Sequence, residues 1–357
     1  MEKWIYWLEE VDASFNDIVG KKCANLGELT KAGFRVPPGY ALGLAAYDRF
    51  MKETGVMERI KEFLKDFKAD PNNPGDTIKF EEASSEIRRM VEETPMPKDM
   101  EEVIKEYYEK LCEKTGLKPT AVATRSAGPV SHPGQYETYL NVKGADQVVL
   151  NVKRVWSSTF NARSLIARAR LNLPLEYDPI GVAVLTMVNA KCAGVMFTLD
   201  PSNGDISKVV IEGSWGYGEA VVSGSVNPDR FKVDKVTFEI EERRISDKDK
   251  WYVFDESQHK MVYAPVPEEM SRVPCLTDEE IVELVKVAKE VERHFGCPQD
   301  IEWCISKDYS LPESIFLVQA RPESVWGKKE KQAVIGKKDP FDLVLKRATT
   351  PIRITKS

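Results

Sequence analysis

Gly296-Cys297-Pro298-Gln299-Asp300-Ile301-Glu302-Trp303-Cys304-Ile305, followed by Ile315-Phe316-Leu317-Val318-Gln319-Ala320-Arg321-Pro322, is the stretch that decides the reading of this 357-residue chain. Two runs rich in β-branched and aromatic residues flank the polar segment 306–314, which predicts a β-hairpin with a long loop. Strand alternation puts Ile315, Leu317, Gln319 and Arg321 on one face, met by Glu302 from the partner strand. Carboxylate and side-chain amide oxygens suit Mg²⁺, and a guanidinium fork beside them suits a polyphosphate. The hairpin therefore reads as a metal-nucleotide clamp. A solvated edge strand with chance polar residues accounts for the same run, and the hairpin alone leaves both readings open.

Immediately upstream, Thr277-Asp278-Glu279-Glu280 is a capping box opening a helix. Its core face is Ile281, Leu284, Val285, Ala288, Val291 and Phe295, and Gly296 is its stop. Before it, residues 192–199, 208–212 and 229–233 read as strands, with Asn203-Gly204-Asp205 as a turn. The glycine-rich 213–219 reads as a sharp turn, a site of close backbone approach or a plain loop. The apolar run 180–188 predicts a buried strand leading to a linker, and 161–173 a helix.

Further toward the N-terminus, Ala121-Val122-Ala123-Thr124-Arg125 predicts a strand that delivers Arg125 into a loop of small and turn-forming residues suited to phosphate oxygens. His132 in that loop has no acidic neighbour in sequence and reads as an incidental surface histidine. Residues 47–117 carry helical spacing and read as scaffold, broken at Asp70-Pro71-Asn72-Asn73-Pro74-Gly75. A short amphipathic helix ending at Gly33 sets Lys22 near its start, where an ammonium can meet an anion. The stretch lacks the GxxxxGK[ST] pattern, so spacing alone leaves Lys22 a solvated lysine.

Length predicts a sizeable core and at least two packed lobes. With 42% hydrophobic and 30% charged residues the chain reads as globular, without a bilayer-length apolar run or a secretory leader at its start. Six scattered cysteines without CxxC or zinc-site spacing fit free thiols in a reducing, cytoplasmic setting. The net charge of −6 is uneven: segment 327–357 holds nine basic and three acidic residues, so the body is about −12. An acidic body argues against nucleic acid as a substrate, whereas the basic end suits an acidic partner.

Collected in order, these blocks resemble the N-terminal nucleotide-binding region shared by phosphoenolpyruvate synthase, pyruvate phosphate dikinase and rifampicin phosphotransferase. The markers are GKKCANLGEL around Lys22, VATRSAGPVSHPGQYETYLNV around Arg125, GVMFT at 194–198, SWGYGEAVVSG at 214–224, VNPDRF at 226–231, QDIEW at 299–303 and VQARP at 318–322. The resemblance runs over about 11–326 and implies an α+β, ATP-grasp fold with nucleotide between two lobes. Those lobes would be 1–190 (with a helical insertion) and 191–326, followed by a basic tail or partner-docking segment at 327–357.

Carried over residue by residue, the resemblance implies that Lys22 and Arg125 hold ATP phosphates while Gly134 and Thr138 close a loop over them. It places Met187 and Val188 where the backbone meets adenine, Glu302 and Gln319 where Mg²⁺ is held, and Arg321 at a further phosphate contact. The sequence departs from the family in having Lys21 and Cys23 where glycines usually flank the lysine, and Leu185 where glutamine is frequent near adenine. The loop after Arg125 is of the short, dikinase type.

The family passes phosphate through a histidine on a swivelling domain, and His132, His259 and His294 lie in no such motif. The expectation is a dikinase-type phosphotransferase that acts on a histidine of a separate subunit, with a small-molecule acceptor bound elsewhere. Its size looks like that of the ATP-binding subunit of phenylphosphate synthase. The alternatives are an excised or split phosphoenolpyruvate synthase nucleotide domain serving pyruvate, and a non-catalytic nucleotide sensor.

Overall fold

A computed structural model describes residues 3–129, 136–258 and 260–326, which form mixed helix and sheet. The first sheet takes β1 (Ile5–Trp7), β2 (Gly39–Leu42), β3 (Val122–Ala127), β4 (Thr138–Val142) and β5 (Gly181–Thr186), in the order β1-β2-β5-β3-β4. The chain continues into β6 (Ala190–Phe197), β7 (Lys208–Trp215), β8 (Asp229–Asp234) and β9 (Ile240–Arg244). A separate hairpin, β10 (Lys250–Asp255) and β11 (Lys260–Pro265), precedes β12 (Gln299–Ser306) and β13 (Ile315–Pro322). The second sheet runs β13-β12-β6-β7-β8-β9, and every ladder within the two sheets and the hairpin is antiparallel.

The scaffold helices within 47–117 lie where the apolar spacing predicts them, and helix Ala145–Ser157, which sequence reading missed, joins them. Helices Leu44–Glu53, Thr77–Glu93, Lys98–Thr115 and Ala145–Ser157 contribute Tyr47, Phe50, Phe80, Ile87, Tyr108 and Trp156 to one core with the first sheet. Helix Asp278–Phe295 starts at the expected capping box, with the Thr277 hydroxyl accepting from the Glu280 N–H and the Glu280 carboxylate accepting from the Thr277 N–H. It stops at Gly296 in the left-handed conformation, φ 69°. Ile281, Leu284, Val285, Ala288 and Val291 are fully buried beneath the second sheet, each contributing about 1.5–3 kcal/mol for a branched or large side chain and less for alanine.

The expectation of one shared face along the last strand is corrected. Glu302 pairs with Gln319 but Trp303 pairs with Leu317, so Val318 is the extra residue of a β-bulge. The bulge reverses the alternation: Ile315 and Leu317 join Trp303 in the core, while Gln319 and Arg321 face the opposite side with Glu302 and Asp300. Sequence reading also missed β9, β10 and β11. The hairpin strands are half-exposed along their length, so neither face shows the alternation that marks a strand packed on one side.

Helix Lys21–Lys31 joins the two sheets. Its Cys23, Ala24, Leu26 and Leu29 share a core with Ile301, Trp303 and Leu317. Asn25 Nδ2 donates to the Ala320 carbonyl of β13 at 2.8 Å, and Glu28 Oε1 meets His294 Nε2 at 2.7 Å. Among the described residues no helix is long and apolar enough to cross a membrane. Gly134, His132, His259 and segment 327–357 lie outside the described residues.

Candidate functional site

Lys22 owes its position to the residue two before it. Gly20, at φ 82°, begins helix Lys21–Lys31 against the end of β3, and a Cβ there would stand 1.8 Å from the Ala127 carbonyl oxygen. The Lys21 N–H donates to the Gly128 carbonyl at 2.9 Å, fixing the contact. Lys22 is thereby set beside Arg125, the partly exposed residue of an otherwise buried β3. Arg125 Nη2 donates to Glu302 Oε2 at 2.8 Å and its Nη1 to the Val318 carbonyl at 3.0 Å. The bulge makes the second bond possible, because a bulged residue has no partner in the strand ladder. Arg125 thus ties the first sheet to both strands of the terminal hairpin.

The pair is enclosed, with 14% and 15% of the two side chains exposed. Desolvation pushes the Glu302 carboxyl up, but the positive charges of Arg125 and Lys22, the Arg125 hydrogen bond and the more distant Arg321 hold it below its ordinary value. Lys22 is half-buried, and desolvation followed by repulsion from Arg125 brings its ammonium down to about 8 against the partial support of Glu302 and Glu219. Among the described residues that ammonium makes no hydrogen bond or ion pair. The solvated lysine that spacing alone suggested is therefore corrected: Lys22 is a poorly hydrated cation facing a carboxylate that Arg125 already satisfies.

Thr138 pairs with Arg125 across β3 and β4, so the two stand side by side. Gln319 lies opposite Glu302, and its amide has no hydrogen bond among the described residues. Arg321 behaves differently. Its Nε and Nη2 both donate to Asp300 Oδ2, at 2.8 and 2.5 Å, and, like Lys22 and Gln319, it does not line the cleft described next.

Arg125, Thr138 and Glu302 line one end of a cleft that encloses about 760 Å³, counting the space open to solvent. The other end is apolar, with Met187 and Val188 on one wall and Cys304, Val318 and Tyr217 on another. The Met187 N–H donates to the Ala121 carbonyl at 2.8 Å, so its amide is engaged, while among the described residues its carbonyl and the Val188 N–H carry no backbone bond. Tyr217 and Glu219 come from the glycine-rich block, which sequence reading left without site residues. Their signal was the block itself, SWGYGEAVVSG, where β7 ends at Trp215 and the short helix Glu219–Val222 begins.

A cleft lined by Arg125 and Glu302, with Lys22 beside Arg125, and by the apolar side chains of Met187, Val188, Cys304 and Tyr217 suits a phosphorylated ring compound. Residues 16–340 match the family described as the pyruvate phosphate dikinase AMP/ATP-binding domain. The chain belongs to this family. A probable phosphoenolpyruvate synthase of Staphylothermus marinus is 40% identical over 359 residues, covering 93% of this chain and 42% of the relative. The phosphoenolpyruvate synthase of Aeropyrum pernix is 40% identical over 358 residues, with 92% and 43% covered. In a probable phosphoenolpyruvate synthase of Methanocaldococcus jannaschii the figures are 40% over 339 residues, 93% and 28%. The chain thus spans less than half the length of these relatives. An L-amino acid ligase from Bacillus licheniformis aligns over 76% of this chain and 56% of its own at a TM-score of 0.23 and 10% identity, too low a likeness to bear on the fold.

For an AMP/ATP-binding domain the donor set fits a metal as well as a nucleotide. Among the described residues no group of three or more His, Cys, Asp or Glu is placed to hold an ion. Mg²⁺, however, is usually held by one or two carboxylates together with substrate phosphates and water. Glu302 and Gln319 offer such a partial set.

Proposed function

We propose that this chain is the ATP-grasp nucleotide unit, in two lobes of about 1–190 and 191–326, of a phosphoenolpyruvate synthase-type phosphotransferase. It would pass a phosphoryl or diphosphoryl group from Mg-ATP to a histidine on a further domain or subunit, with AMP and phosphate as the eventual products and pyruvate as the final acceptor. The observation that carries the reading is the Arg125–Glu302 pair with the unpartnered Lys22 ammonium beside it. A bare cluster of two cations around one carboxylate is incompletely neutralised, and a polyphosphate supplies the missing charge. The names of the relatives favour the phosphoenolpyruvate synthase type over the phenylphosphate synthase type.

In this reading Lys22 and Arg125 bind and orient the triphosphate, and Glu302 and Gln319 hold Mg²⁺. Bound there, the metal neutralises charge that develops on the transferred group. Met187 and Val188 orient the base against the apolar wall, and Thr138 excludes water beside Arg125. Arg321, held by Asp300, would reach phosphate only by giving up that pair. A purely nucleotide-sensing module would need the slot and a phosphate contact but not the full set of cations with a metal-type oxygen pair.

Titration calorimetry of the chain with ATP and Mg²⁺ should show one saturable site, and no heat at millimolar ATP would overturn the reading. With β- or γ-labelled ATP and a histidine-bearing domain supplied in trans, acid-labile label on that domain is expected. Binding without transfer would leave only the sensor.

Lys22 gives the binding a pH dependence of definite sign. Its ammonium loses the proton near pH 8 in the free chain, and phosphate raises that value in the complex, so binding takes up a proton above pH 8. ATP affinity should fall about tenfold per pH unit over that range. Lys22→Met should bind more weakly below pH 8 and show a flat profile above it, which calorimetry at pH 7, 8 and 9 would check.

A further inference from the structure

A second cleft runs along β4. Its walls are β4 and the segment after it, the outer face of helix Ala145–Ser157, and hairpin β10–β11. It encloses about 1090 Å³, counting the space open to solvent, more than the nucleotide cleft. The two clefts share Thr138 and Leu140, so one strand is a common wall.

Its chemistry is asymmetric. Lys143, Arg154 and Lys260 line it, and among its described lining residues there is no carboxylate. Lys143 is exposed and stands 5.0 Å from the Phe254 ring centroid, a contact that supplies no countercharge. Lys260 faces Asp255 across the hairpin, but that carboxylate accepts from Ser257 and Gln258 of its own turn. Arg154 comes only to 4.0 Å of Glu92, which is shared with Arg88 and accepts from the Ser157 hydroxyl. Glu137 is held by Arg88 and Tyr139, and Asp146 by Lys105. These carboxylates are thus committed elsewhere, while Tyr252, Phe254, Met261 and Leu140 give the cleft an apolar wall.

We propose that this cleft is a second ligand site, for a small organic phosphate whose anionic group meets Lys143, Arg154 and Lys260 and whose apolar part lies on Tyr252 and Phe254. Basic side chains along a concave, partly aromatic surface bind such an anion through charge-assisted hydrogen bonds and stacking. The assignment does not depend on what the first cleft binds, although β4 is a wall of both.

The probe is 1-naphthyl phosphate, titrated calorimetrically into the full chain. Besides any binding in the first cleft, which Arg125→Gln removes, one saturable site is expected, with affinity lowered at least tenfold by Lys143→Glu and by Lys260→Glu, both exposed positions. Arg125→Gln, in the first cleft, should leave that affinity within twofold. No saturable binding to the unsubstituted chain at millimolar probe would overturn the proposal. So would binding that Arg125→Gln abolishes and the two lysine substitutions spare.

Discussion

Glu302→Gln is expected to remove the Mg²⁺ dependence of ATP binding while leaving the chain folded. Binding of Mg-ATP should weaken by at least about 10- to 100-fold, a loss typical even for residues one shell out from a metal. The sign for ATP without metal is the opposite. Glu302 is the carboxylate that Arg125 grips at 2.8 Å and that partly supports the Lys22 charge. With a neutral amide in its place both cations lose their compensation, and metal-free ATP should bind at least as tightly as before. The fold should lose on the order of 1–3 kcal/mol, less than a fully buried pair would cost because the cleft opens to water. Calorimetry with and without Mg²⁺, beside a urea titration, reads all three effects. An unchanged Mg²⁺ dependence would take the metal away from Glu302.

The parts of this site that were legible in the sequence are those that local chemistry dictates. Helix Asp278–Phe295 carries its own start and stop signals, and β12 follows at once, so Glu302 could be placed on a strand without knowledge of the rest. The strand bearing Arg125 was legible for the same reason, being a short apolar run between turn residues. What no local pattern specifies is which side of a sheet a residue ends on once a bulge intervenes. Val318 is an ordinary strand residue by type, and only its register shows that it moves Gln319 and Arg321 to the Glu302 side.

Lys22 was illegible in a different way. Its helix reads as a surface amphipathic helix, but Cys23, Leu26 and Leu29 pack into a core that includes Ile301, Trp303 and Leu317 of strands almost 300 residues later. The residue that the sequence treats as solvated is enclosed only because of that long-range packing. Arg321 shows the converse. Its motif marks it as a phosphate contact, while the structure shows it engaged with Asp300. The Gly194 backbone passes so close to β7 that a Cβ would lie 1.9 Å from the Glu212 carbonyl oxygen, a requirement that GVMFT carries without revealing its reason.

Lys248→Met is expected to give a large loss of stability although it lies outside both clefts. Lys248 and Asp229 form an ion pair at 2.7 Å in which neither side chain is exposed. Asp229 also accepts from the N–H groups of Ser246 and Cys275, at 2.9 and 2.8 Å, while the Lys248 backbone N–H donates to the Ser271 carbonyl. One carboxylate at the head of β8 therefore gathers the two segments on either side of the β10–β11 hairpin. Methionine matches the lysine stem in volume but leaves Asp229 ionised without a countercharge, which costs about 3–5 kcal/mol for a buried pair. Asp229→Asn together with Lys248→Met removes both charges, so the double variant should be clearly more stable than the sum of the single losses predicts. Urea unfolding of the four proteins measures the coupling, and a Lys248→Met loss within about 0.5 kcal/mol, the scale of an ordinary surface change, would show that the pair anchors nothing. The VNPDRF block would then need another physical reason, because its aspartate lines neither cleft.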